Sequence, residues 1–245
     1  MRSRLVLAFF TSLLSVTALA GDPVKVLVYG DSNTWGWKPV SDGKPVPRYR
    51  DDQRWPGVMQ KTLGSGYVVE VNGLIARTLD ADLQEGVGPL EGQDQNGMRR
   101  LALSLAEAAP VNLLVVMLGT NDLMDDLNRT PKDIASSLPK LIEIAKTGTV
   151  AYSAAQTQRL LVVIPPPLSD TSRTPFKKLF GPHAIEKSKL LTAEFEQVGA
   201  ELRVPVFNAG QVITADGIDG LHLSERAHRL LGVALAREVR KLISP

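Results

Sequence analysis

Val24-Lys25-Val26-Leu27-Val28-Tyr29-Gly30-Asp31-Ser32 is the stretch on which the fold turns. Val24 to Tyr29 is rich in β-branched residues and stops at Gly30, the pattern of a short buried strand. The pattern recurs at Tyr67 to Val71, Leu113 to Leu118, Leu160 to Ile164 and Val204 to Phe207. Helical patterns alternate with these runs: Trp55 to Leu63, Gly97 to Ala108, Pro131 to Lys146, Ile185 to Leu202 and Glu225 to Leu242. Two helix starts are marked by caps, Thr130 before Pro131 with Asp133 in the first turn, and Ser224 before Glu225. Five strands interleaved with helices predict a parallel, doubly wound α/β sandwich.

Outward from that core, the first twenty residues stand apart. Arg2 and Arg4 open the chain, Leu5 to Leu14 is mostly apolar, and Ala18-Leu19-Ala20 has the small-x-small form of a cleavage site. The apolar run is too short to anchor in a bilayer and is not amphipathic, so it reads as a cleaved secretory signal covering 1–20. The expectation is a mature chain from Gly21, periplasmic or secreted, with no stable membrane anchor after cleavage. The remaining 21–245 form one domain, roughly 225 residues that suffice for a substantial core.

Charge and cysteine content remove several classes of function. The chain has 28 basic and 26 acidic residues, but Arg2 and Arg4 leave with the signal, so the mature chain is balanced. Without a Lys/Arg block either, nothing points to nucleic acid. The absence of cysteine excludes disulfides, thiolate catalysis, cysteine-held metal and an N-terminal lipidated cysteine.

In doubly wound sheets, ligands bind beyond the carboxyl ends of the strands. Ser32 follows the first strand there, and Gly119-Thr120-Asn121-Asp122 follows the third. Asp219-Gly220-Leu221-His222 follows the fifth. A serine, an acid, a histidine and an asparagine amide are the parts of an acyl-transfer site. Of the three histidines, His228 lies in the last helix pattern and His183 just before another; both read as packing or surface residues. His222 has Asp219 three positions earlier, close enough on one loop to accept a bond from Nδ1 and leave Nε2 for Ser32. Asp216-Gly217 resembles a simple Asx turn. The stretches Trp37 to Pro47 and Thr78 to Gln95 read as long functional loops.

Gly30-Asp31-Ser32, Gly119-Thr120-Asn121-Asp122 and Asp219-x-x-His222 resemble, in order, the blocks of the SGNH (GDSL) hydrolases. The longer string Gly30-Asp31-Ser32-Asn33-Thr34-Trp35-Gly36-Trp37 is similar to the mycobacterial-type aryl esterase/acyltransferase branch. So are Arg54-Trp55, Ala76-Arg77-Thr78, Pro165-Pro166-Pro167 and Asp216-Gly217-Ile218-Asp219-Gly220. The likeness spans nearly the whole mature chain. It implies a flavodoxin-like three-layer α/β/α sandwich with a five-stranded parallel sheet, a small-molecule ester substrate and no cofactor or metal. Some members of the branch also form large homo-oligomers whose subunits narrow one another's clefts.

The resemblance also distributes roles. Ser32 would be the nucleophile, His222 the general base and Asp219 its orienting acid. The oxyanion hole would use the N–H of Ser32 and the amide of Asn121. The wider family places a glycine in its second block, where this chain aligns Ala76; Gly73 is the competing donor. Asp31, Trp37, Thr120, Phe176, Phe180 and Leu221 would line the substrate pocket, the bulky ones narrowing it toward acetyl and other short chains. Phe176 and Phe180 are four apart and share a face if helical, a pattern equally suited to core packing. A carbohydrate O-deacetylase would use the same residues. A metal held by Asp31, Asp122, Asp216, Asp219 and His222 for phosphoester hydrolysis is the reading from a different class, but no His-x-His or Asp-x-Asp spacing supports it.

Overall fold

The computed structural model describes residues 22–39, 48–84 and 94–245. The segment read as an export signal lies outside the described residues, as do parts of both long loops. Five strands, β1 (Val24–Gly30), β2 (Tyr67–Gly73), β3 (Leu113–Met117), β4 (Leu160–Ile164) and β5 (Val206–Asn208), form one sheet in the order β2-β1-β3-β4-β5. Every neighbouring pair is parallel.

Alternation along the strands builds two cores. Leu27, Tyr29, Leu114, Val116, Val162 and Ile164 face one side of the sheet. Val26, Val28, Val115, Met117, Leu161 and Val163 face the other. Burial on both faces explains why these runs are apolar throughout rather than alternating with polar residues. The first side is covered by α3 (Gly97–Ala108), α4 (Pro131–Ala135), α5 (Leu138–Gly148) and α7 (Ala184–Leu202). The second is covered by α2 (Trp55–Leu63) and α8 (Glu225–Leu242). Two short helices, α1 (Ser32–Trp35) and α6 (Lys177–Phe180), complete the three layers.

Two departures from the sequence expectation have a clear physical cause. The helix expected over Pro131 to Lys146 is broken at Ser136-Ser137, between α4 and α5. Pro139 has no N–H for the carbonyl of Ala135, and its ring would collide with that carbonyl; it fits instead in the first turn of a new helix. The last strand begins at Val206 rather than Val204. Arg203 ends α7 in the left-handed region at φ 54°, and the N–H of Val204 closes that helix by donating to Gly199. Val204 thus belongs to a helix end.

The expected caps form: Thr130 and Asp133 make a reciprocal capping box, and the Ser224 hydroxyl accepts the N–H of Ala227. Among the described residues, no helix is long and apolar enough to cross a membrane. Because β1 has β2 on one side and β3 on the other, the order in which strands are added to the sheet reverses between β1 and β3. That switch point opens a crevice above their carboxyl ends.

Candidate active site

Ser32 begins α1 directly beyond β1. Asp31 caps this helix, accepting the N–H of Asn33 at 2.9 Å. The helix can lie against the end of β2 because residue 73 is glycine: a Cβ there would fall 2.4 Å from the Trp35 nitrogen. Gly73 therefore serves close packing beneath the helix that Ser32 begins.

His222 lies on the loop between β5 and α8 and is 3% exposed. Its Nε2 is 3.0 Å from Ser32 Oγ, and its Nδ1 is 2.8 Å from Asp219 Oδ2. The other oxygen of Asp219 accepts the N–H groups of Leu221 at 3.0 Å and His222 at 2.8 Å. Burial pushes the Asp219 carboxyl up, but the bonds from His222 and Leu221 outweigh it and leave the carboxyl below its ordinary range. It therefore remains charged beside the imidazole at neutral pH. Asp216 closes the same loop, accepting the Ser224 N–H at 2.8 Å and hydroxyl at 2.6 Å.

Neither other histidine joins this group. His228 is fully buried in α8, where Nδ1 accepts the N–H of Trp55 at 3.3 Å. Burial, reinforced by His222 and Arg54, holds its pKa down at about 3, so it stays neutral. His183 is exposed at the start of α7.

Asn121 opens a single 3-10 turn, Asn121–Leu123, just past β3. Its amide donates one hydrogen to the Arg77 carbonyl at 2.9 Å, which fixes its orientation and leaves the other hydrogen for a ligand. Ala76 has φ 60°, the left-handed conformation natural to glycine. Among the described residues, the N–H groups of Ser32 and Ala76 have no hydrogen-bond partner. Ala76 thus holds a glycine-like conformation with its N–H left uncommitted.

The expected pocket residues divide. The Trp37 ring stacks on His222 at 5.4 Å between centroids and 22° between planes. Phe176 meets the same ring edge-on at 5.4 Å. Thr120 and Leu221 are as buried as Asn121. Phe180 and Asp31 differ from expectation. Phe180 has no exposed surface and packs in the core, because the turn from Phe176 to Phe180 points its last side chain inward. Asp31 is 1% exposed and is committed to capping α1 and to the Thr120 hydroxyl.

Three further residues brace the site through contacts that the sequence pattern does not announce. The Arg77 guanidinium donates to the Gly30 carbonyl at 2.9 Å and the Asn72 carbonyl at 2.6 Å, and lies 4.0 Å over the Tyr29 ring. Asp122 is fully buried, accepting the Leu79 N–H at 2.6 Å and Arg129 at 2.7 Å. Asn33 reaches across to both sides of His222. Since Asp122 serves the Leu79 turn and Asp216 serves Ser224, these acids do not converge. Among the described residues, no group of three or more His, Cys, Asp or Glu could hold a metal.

Burial also raises the Asp31 pKa to about 7, against the Asn33 N–H and the Thr120 hydroxyl, which lower it. The unfolded chain has an ordinary carboxyl, so between pH ~4 and 7 the folded state binds more protons and stability falls as pH rises. Asp31→Asn, which keeps the capping oxygen without the charge, is expected to raise Tm at pH 8 and to gain less at pH 5. Thermal unfolding at the two pH values measures this; equal gains would reject the linkage.

A doubly wound parallel sheet that gathers a serine, an imidazole and a carboxylate beyond its strand ends is the arrangement of a hydrolase working by acyl transfer. The chain belongs to the GDSL-like Lipase/Acylhydrolase family, whose model matches residues 28–230. It is a carboxylic ester hydrolase of this SGNH type. Among solved structures it is similar to the aryl esterase of M. smegmatis, at 39% identity over 90% of this chain and 100% of that one, with a TM-score of 0.79. It is likewise similar to a carbohydrate acetylesterase from Sinorhizobium meliloti, at 39% identity over 90% of this chain and 100% of that one, TM-score 0.78. A second S. meliloti structure, a carbohydrate acetylesterase family member, is 32% identical over 89% of this chain and 98% of that one, TM-score 0.75. No curated protein sequence matches the chain.

Proposed function

We propose that this chain is an exported serine esterase that cleaves short-chain, acetyl-type aryl or alkyl esters through an acyl-enzyme on Ser32. The observation that carries this reading is the relay itself, Ser32 Oγ at 3.0 Å from His222 Nε2 with Nδ1 held by Asp219. Ser32 Oγ attacks the ester carbonyl while Nε2 takes its proton. The oxyanion is received by the N–H groups of Ser32 and Ala76 and by the free amide hydrogen of Asn121. His222 then protonates the leaving alcohol, and the acyl-enzyme is cleared by water or by a second alcohol activated in the same way. The charge of Asp219 stabilises the imidazolium that forms in each half-reaction.

Trp37 and Phe176, both against His222, support short acyl groups, since they set large rigid rings beside the reacting centre. They also make that side apolar, which favours an alcohol over water as acyl acceptor. A series of p-nitrophenyl esters from acetyl to octanoyl should give kcat/KM highest at acetyl to butanoyl and falling at least about tenfold by octanoyl. A flat or rising series would reject the narrow pocket. A second reading, deacetylation of a carbohydrate, is favoured by the equal similarity to a carbohydrate acetylesterase. Faster turnover of acetylated xylo-oligosaccharides than of phenyl acetate would select it.

Export rests on the basic start, apolar run and Ala18-Leu19-Ala20 of the sequence. N-terminal sequencing of protein expressed with its leader in a bacterial host should read from Gly21. A retained Met1 would rule export out.

A further inference from the structure

Asn33 immediately follows Ser32 and is 2% exposed. Its side chain crosses from α1 to the loop that carries His222. The Nδ2 group donates to the Leu221 carbonyl at 3.3 Å, and Oδ1 accepts the Leu223 N–H at 3.1 Å. The two bonds therefore hold the chain just before and just after His222.

Besides the contact of His222 with Ser32, the Gly220 carbonyl accepts the Ser169 N–H at 2.9 Å, a tie to the chain beyond β4 rather than to α1. Asp219 takes the N–H groups of Leu221 and His222, and Gly217 N–H donates to the His222 carbonyl at 2.9 Å. Those bonds shape the loop without fixing its place relative to Ser32. Asn33 adds a direct tie from the loop to α1, and its own position is bound to that of Ser32 through the helix they share. An amide that donates at one end and accepts at the other restrains both separation and rotation. The family is named for Gly-Asp-Ser-Leu, whereas this chain reads Gly30-Asp31-Ser32-Asn33. A leucine could form neither bond.

We propose that Asn33 is a positioning residue that sets the distance and angle between Ser32 Oγ and His222 Nε2, a role resting on the assignment of His222 as the base. Removing the amide strands a buried carbonyl and a buried N–H, which the loop can satisfy only by shifting. A displacement of about 1 Å at a reacting pair costs up to roughly a hundredfold in rate.

The test uses Asn33→Leu and Asn33→Ala, each alone and combined with His222→Ala, assayed on p-nitrophenyl acetate. Alone, either variant should lower kcat about 10- to 100-fold with KM changed less than about twofold. In the His222→Ala background, the same substitution should change the residual rate less than about twofold, because the group it positions is gone. Two variants of different volume, checked by Tm, keep the comparison interpretable if one folds poorly. Unchanged kcat, or the same loss with and without His222, overturns the proposal. A crippled His222→Ala beside a fully active Asn33→Leu removes the Asn33 role alone. A fully active His222→Ala removes the base assignment, and this proposal with it.

Discussion

Ser32→Ala is expected to lower turnover of p-nitrophenyl acetate by about 10⁵-fold or more, the loss typical of a serine nucleophile. The structure makes this a clean substitution. The Ser32 hydroxyl meets His222, while α1 is capped by Asp31 and braced by Asn33, so the helix does not depend on the hydroxyl. The change in stability should stay within about 0.5 kcal/mol. Steady-state kinetics beside a thermal melt tests both statements. A folded Ser32→Ala protein with more than a few per cent of wild-type activity would remove Ser32 as nucleophile. A further arm is the acyl-enzyme itself: mass spectrometry of wild-type protein quenched during turnover should find an acetyl group on Ser32, absent from the variant.

Asp219→Asn should cost about 10⁴-fold in kcat, for a reason of tautomer rather than of shape. The amide oxygen of an asparagine can keep the backbone bonds from Leu221 and His222 that Asp219 Oδ1 now accepts. Its NH₂ then points at His222 Nδ1, where a carboxylate oxygen stands now. A donor facing Nδ1 selects the tautomer with its proton on Nε2, and that nitrogen can no longer take a proton from Ser32. The loop should remain in place, so Tm should fall much less than for Asp219→Ala. Activity within tenfold of wild type would show that Asp219 does not set the imidazole tautomer.

The sheet was legible because β3 and β4 are short and wholly apolar and β1 is interrupted only by Lys25, as a layer buried on both faces requires. The three strand-end blocks were legible for a related reason, since a parallel sheet delivers all of its strand ends to one side. What the sequence withheld depends on direction and on contacts far along the chain. Phe176 and Phe180 have the same helical spacing to offer, yet one touches His222 and the other is core; only the packing of α6 decides which. Asp31 and Ser32 are adjacent, but the first turns into the protein to cap a helix. Asn33 sits in the most recognisable string of the chain. Its side-chain partners lie 188 and 190 residues away, beyond the reach of any local pattern. The break before Pro139 went unread within one expected helix, and the shift of β5 arose from a left-handed Arg203 that nothing in its neighbours announces.

The distance along the chain between Ser32 and His222 has a consequence for timing. During synthesis Ser32 emerges among the first residues of the domain and His222 among the last, 190 positions later. A chain elongating at some 5–20 residues per second exposes a lone serine hydroxyl for many seconds before any imidazole can reach it. The arrival of α8, which packs on α2 and buries Trp55, follows the His222 loop directly. The contact between Ser32 and His222 can therefore form only late in synthesis, once the final loop has followed the rest of the sheet.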